Sequence, residues 1–203
     1  MEYYSLYNES DKKDSEFREI AKGVVLEKKS KFYAYLFHIE SKQEAIQYIE
    51  SIRKAHKEAR HVVYIYSLLN ETQTDIQFSD DGEPKGTGTK AIYALLTKEH
   101  ITNICIVIVR YFGGILLGAS LLSRTYLNSA REAINLCTKK EIYHYIEENF
   151  SISYSKYTQI KPLLDKYILQ EIVILNHVDF NENVAISAKV REDQYEDVLK
   201  QIK

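Results

Sequence analysis

Apolar residues recur along this chain with two different periods, and the switches between them predict a mixed α+β architecture. From Gly23 to Ile39 the period is two. Phe32, Ala34, Leu36 and His38 fall on one face, and Tyr33, Tyr35, Phe37 and Ile39 on the other. Both faces are largely apolar or aromatic, so the segment is predicted to be one sheet strand covered on at least one side. Ser41-Lys42-Gln43-Glu44 then has the form of a capping box, in which the serine and the glutamate satisfy backbone N–H groups at a helix start. Ala45, Ile49, Ile52 and His56 follow at helical spacing. His61–Leu69 reads as a second strand and Asp75–Phe78 as a short third. Asn103–Tyr111 is β-branched with almost no polar residue before Arg110, which predicts a central strand. Helices are predicted at Lys90–Lys98 and Ala119–Leu136, the latter from Leu122, Tyr126, Ala130, Ala133 and Leu136.

The pattern restarts beyond a polar junction near Thr138–Ile142. Glu148–Tyr154 alternates as a strand, Ser155–Tyr167 is helical with Pro162 near its first or second turn, and Glu171–His177 and Val184–Val190 are two further strands. Glu192–Ile202 closes the chain as a helix. The order β-α-β-β-α is that of a ferredoxin-like sandwich without its last strand. Two domains are therefore expected, 1–138 and 142–203.

Composition excludes several classes. With 45% hydrophobic and 28% charged residues the chain is neither disordered nor fibrous. Met1–Phe17 is polar and acidic without an apolar core, so no secretory signal is expected. The apolar run Ile104–Val109 is far too short for a bilayer. No membrane association is expected, and the location read from the sequence is cytoplasmic. The two cysteines, Cys105 and Cys137, share no metal or redox spacing and read as reduced thiols. Net charge is −2, which gives no support to a strong nucleic-acid binder or to DNA specificity. The charge is uneven, however. Residues 141–203 carry 11 acidic and 7 basic side chains, net −4, and residues 1–140 carry 18 and 20, net +2.

Two glycine-rich loops hold the candidate chemistry. In Ser79-Asp80-Asp81-Gly82-Glu83-Pro84-Lys85-Gly86-Thr87-Gly88-Thr89 three carboxylates precede small and hydroxyl residues at a helix start. Backbone N–H groups there suit an anion such as phosphate, with Gly86, Thr87, Gly88 and Thr89 as its frame. Asp80, Asp81 and Glu83 could share that phosphate through Mg²⁺, which takes oxygen ligands. An Asp-Gly turn on a solvated loop explains the same residues without a ligand. In the second loop Arg110 ends the apolar strand and Gly113, Gly114 and Gly118 follow. Arg110 either grips an anion or pairs internally with Asp80, Asp81 or Glu83. His61 joins such a site if the loops converge beside it. The basic set Lys28, Lys29, Lys31, Arg53, Lys54, Lys57 and Arg60, near Tyr33 and Tyr35, suits an RNA backbone or simply a solvated face.

The run Phe78–Pro84, then Gly86-Thr87, then Val107–Gly118, with Ser30-Lys31-Phe32 and Ala59-Arg60-His61 at matching separations, resembles the YigZ/IMPACT family. The resemblance covers nearly the whole chain. It implies an N-terminal domain like the second domain of ribosomal protein S5 and a C-terminal ferredoxin-like domain similar to those of elongation factor G. It further implies a non-enzymatic binding and regulatory protein linked to translation, with RNA, the ribosome or translation factors as partners. Eukaryotic relatives regulate initiation under amino-acid starvation by competing for an activator of a stress kinase. A metal-assisted enzyme acting on a phosphorylated small molecule and a ligand-free protein-interaction module remain the alternatives. Gly88-Thr89 and Ala91 replace the family's Ala-Gly and proline, and Ser120-Leu121 its small pair, while Arg124 and Tyr126 are retained. Relatives continue into a final strand where this chain stops at Lys203, so a three-stranded C-terminal sheet is expected.

Overall fold

The structure, a computed structural model, describes residues 2–8, 19–70 and 73–202. Its contacts divide into two units, residues 1–142 and 143–203. The architecture is α+β in both.

In the first unit a five-stranded antiparallel sheet has the order β2-β3-β6-β4-β5. Its strands are β2 (Glu19–Glu27), β3 (Ser30–His38), β4 (His61–Asn70), β5 (Gln73–Ser79) and β6 (Ile104–Tyr111). Helix α1 (Lys42–Ala55) packs on one face, and α2 (Lys90–Lys98) and α3 (Ala119–Ile134) pack on the other. The central strand serves both layers. Ile104, Ile106 and Ile108 enter the core beneath α2 and α3, while Cys105, Val107 and Val109 enter the one beneath α1. Each fully buried branched side chain of this kind contributes about 1.5–3 kcal/mol of transfer free energy. Burial also pushes the Cys105 thiol well above its ordinary range, so it is inert.

The single strand expected over Gly23–Ile39 is a hairpin. Glu27 pairs with Ser30, leaving Lys28 and Lys29 as a two-residue turn with φ of 43° and 67°. Such turns need positive φ at both central residues and normally recruit glycine or asparagine. Two lysines carry no such signal, and the turn was invisible. The α1 start also differs in detail. Ser41 Oγ accepts from Glu44 N–H as expected, but Glu44 accepts from the N–H of Glu40, one residue outside the cap.

The polar segment 138–142 is not a linker. It forms β7 (Thr138–Ile142), paired antiparallel with β1 (Tyr3–Tyr7), a strand within the stretch read as a polar N-terminus. Leu6, 1% exposed, joins the core of the first unit and explains the pairing. Consequently the peptide bonds after Lys139 and Lys140 lie in a hydrogen-bonded ladder. Trypsin under native conditions should spare both while it cuts exposed loops. Early cleavage at either, read by mass spectrometry, would show an unpaired linker instead.

The second unit contains β8 (Tyr145–Ile152), α4 (Tyr154–Leu169), β9 (Val173–Phe180), β10 (Val184–Arg191), a 3₁₀ turn and α5 (Tyr195–Ile202). Its sheet order is β8-β10-β9, that of a ferredoxin-like sandwich with three strands among the described residues. Alternate residues Val184, Ile186, Ala188 and Val190 of β10 point into the core with Ile160, Leu164, Val198 and Ile202. Pro162 lies in the third turn of α4, later than expected, on its exposed side.

Candidate functional site

The three carboxylates of the first loop diverge to three separate tasks. Asp80 staples its own loop. One oxygen accepts from the N–H groups of Gly88 and Thr89 and from Thr89 Oγ1, all at 3.0 Å, and the other accepts from Gly86 N–H at 2.5 Å. The donors predicted to cradle a phosphate thus already hold a carboxylate of the same loop. Thr87 donates to the Pro84 carbonyl at 2.7 Å. Asp81 turns to α1 and β4, accepting from both terminal nitrogens of Arg53 at 3.0 and 3.3 Å and from Val62 N–H at 2.6 Å.

Glu83 points inward and is almost fully buried. Its Oε1 accepts from Arg110 Nη1 at 2.6 Å and from the Tyr126 hydroxyl at 2.7 Å. Burial, reinforced by this carboxylate, pushes the Tyr126 hydroxyl far up, so it stays protonated and donates. Among the described residues no three His, Cys, Asp or Glu side chains cluster as a metal site would require. The Mg²⁺ arrangement of Asp80, Asp81 and Glu83 is therefore not formed, because each carboxylate is committed elsewhere.

Arg110 takes the internal-partner role, and Glu83 is the partner. Its guanidinium also sits 5.5 Å from the Phe32 ring and 5.6 Å from Phe112. His61 hangs between the loops. Its Nδ1 lies 2.8 Å from the Asp81 carbonyl and so carries the proton, which leaves Nε2 4.0 Å from Glu83 Oε2.

The two loops do meet, but over part of their length only. Glu83 and Pro84 of the first, Arg110, Phe112 and Leu116–Gly118 of the second, and Arg60 and His61 enclose a pocket of 320 Å³ at the α3 N-terminus. Gly86 and Thr89 instead line a separate 720 Å³ pocket with Phe78, Lys90 and Tyr93. The two helix starts therefore do not share one site. Gly88 packs against Val63, where a Cβ would approach to 2.8 Å. Gly113 has a structural reason of its own: a Cβ there would lie 2.1 Å from the Lys29 carbonyl carbon, and its N–H donates to Ser30 Oγ. That contact clamps the strained lysine turn. Gly114 has φ 83° and faces open space, and Arg124 is exposed on α3 outside both pockets.

A third feature was not anticipated as a unit. Lys29, Lys31, Tyr33, His56, Tyr111 and Phe112 line an open groove of 360 Å³. His56 is held between two phenols, its Nε2 2.7 Å from the Tyr35 hydroxyl and its Nδ1 2.8 Å from that of Tyr111. Burial, and then nearby Lys22, lower its pKa, so the ring enters the groove neutral and the lysines supply the charge. Lys22 itself lies over the rings of Tyr33 and Tyr35 at 5.3 and 4.6 Å. The lysines were legible as a basic set, but His56 and Tyr111 are 55 residues apart and only the sheet brings them together.

The Impact N-terminal domain family matches residues 28–134, from the β2–β3 turn to the end of α3. This chain belongs to the IMPACT family. It is 35% identical to the IMPACT family member YigZ of Escherichia coli over 139 residues, 68% of each chain. With the IMPACT family member YvyE of Bacillus subtilis it shares 29% identity, across 87% of this chain and 79% of that one. A crystal structure of a hypothetical protein superposes with a TM-score of 0.59 at 28% identity, covering 88% and 86% of the two chains. The matched IMPACT span contains both loops, the Glu83–Arg110–Tyr126 cluster and the basic groove. Strands β1 and β7 and the second unit lie outside it.

Proposed function

We propose that this IMPACT family member is a binding and regulatory protein linked to translation, and that it engages single-stranded RNA through the Lys29–Lys31–Tyr33–Tyr111–Phe112 groove. The observation that carries this reading is the groove's combination of lysines with partly exposed aromatic rings. Cations neutralise phosphate, and π-faces accept any base, so the pair suits RNA without strict sequence preference. Lys22 and Lys28 extend the basic edge along β2 and its turn. The carboxylates that a hydrolytic or phosphoryl-transfer site would need are held by internal partners, which favours binding over catalysis. The acidic residues 141–203 repel phosphate and are assigned no part in it.

Fluorescence anisotropy with a short oligoribonucleotide tests the reading. Binding should weaken as salt rises, and Lys29→Ala/Lys31→Ala should lower the slope of log K against log[salt] by about 1.4, the single-strand increment for two phosphate contacts. Tyr111→Ala should remove about 1–3 kcal/mol of binding with the slope unchanged, since it deletes stacking and not charge. Affinity that ignores salt and both variants would refute the groove as the RNA site.

A further inference from the structure

The 320 Å³ pocket in front of Arg110 is a separate compartment from the basic groove, although Phe112 lines both. Four observations converge on it. Arg110 is 6% exposed and lines the pocket, yet among the described residues its Nε–H has no hydrogen-bond partner. Buried donors without partners are rare, and a water or ion bound beside them is one way their bonding is completed. Helix α3, 16 residues long, begins at the pocket: its N-cap is Gly118, with φ 73° and no side-chain cap, and a Cβ at Gly118 would meet nothing within 4 Å. Its first-turn N–H groups and the positive end of its dipole are therefore left without a cap from the N-cap side chain.

The charge on the walls agrees. Glu83 is already matched by Arg110 and Tyr126, so exposed Arg60 leaves the pocket one cation in excess. Apart from His61, whose Nε2 lies 4.0 Å from Glu83 Oε2, the rest of the lining is largely apolar. Leu117 and Leu122 are buried, while Phe112 and Leu116 are 44% and 84% exposed at the rim. A free phosphate would waste that surface, and a polymer would not fit a space of this size.

We propose that this pocket binds a small molecule bearing one oxyanion head, carboxylate or phosphate, on a short apolar body. The head lies between Arg60, Arg110 and the start of α3, and the body rests on Phe112, Leu116 and Leu122. The site is independent of the RNA reading and is tested apart from it.

The test titrates the full chain by calorimetry with hexanoate, hexyl phosphate and, as a headless control, hexanol. Saturable binding of either anionic probe, with none by hexanol, supports the proposal, and the tighter of the two identifies the head. Arg60→Ala should weaken that binding by about tenfold or more, as expected for a lost charge-assisted contact. Ala119→Phe should abolish it by filling the pocket at the helix start. Neither substitution touches the buried Glu83–Arg110 pair, and both variants should unfold at the wild-type temperature. Equal binding of hexanol, no heat from either anion at about 10 mM, where only negligible affinity would escape detection, or indifference to both substitutions would overturn the proposal. Weaker RNA binding by Lys29→Ala/Lys31→Ala with the probe affinity unchanged would confirm that the two compartments are distinct.

Discussion

Arg110→Ala is expected to destabilise the first unit by about 3–5 kcal/mol, the range for removing one partner from a buried ion pair. The cost arises less from the lost attraction than from what remains. Glu83 would keep a buried charge supported by the Tyr126 hydroxyl, with His61 Nε2 4.0 Å from its other oxygen. Replacing both partners with apolar residues, Arg110→Met with Glu83→Leu, should restore part of the loss, because no charge is then stranded and only the Tyr126 hydroxyl loses its acceptor. Urea denaturation of Arg110→Ala and of the double variant reads this directly, with Arg110→Ala shifting the midpoint at constant slope. A loss below about 1 kcal/mol, the range of screened surface pairs, would mean that water reaches the pair and that Arg110 is not a structural partner. Arg110 also lines the ligand pocket, so a folded Arg60 variant, not an Arg110 variant, reports on ligand binding.

Asp80→Ala is the second large effect, expected at about 3 kcal/mol or more from charge-assisted bonds worth roughly 1.5–3 kcal/mol each. Four hydrogen bonds converge on this one side chain, and Gly88 and Thr89 are buried, where water cannot easily replace the lost acceptor. Asp80→Asn separates acceptor geometry from charge. Its amide oxygen can serve Gly88 and Thr89, but its NH₂ then faces the Gly86 N–H, two donors at a distance meant for one bond. The asparagine variant should therefore fall between wild type and alanine. Hydrogen exchange at Gly86, Gly88 and Thr89 should accelerate in both variants while β6 stays protected. Unchanged exchange in the loop would show that other contacts hold it.

Read as a pattern, the chain was informative wherever one strong local preference acted alone. Helices α1, α2 and α3, the central strand β6 and the β-α-β-β-α order of the second unit follow from periodicity, because burial of an apolar face selects one period over the other. The family was legible too, since its two long motifs are contiguous in sequence. The Lys28–Lys29 turn escaped because its residues oppose the conformation that the tertiary contact at Gly113 imposes on them. Strands β1 and β7 escaped because each is short and far from its partner, and β pairing between distant segments leaves no local mark. The loops at 79–89 and 110–118 announced chemistry by composition, yet which carboxylate meets Arg110 depends on side-chain directions after long-range packing. Only the folded chain spent Asp80 on its own backbone, sent Asp81 to Arg53 and buried Glu83 beside Arg110 and Tyr126. Local sequence thus determined most of the elements and the family. The tertiary structure decided the ion pair, the basic groove and the pocket, because those are properties of residues brought together across the sheet.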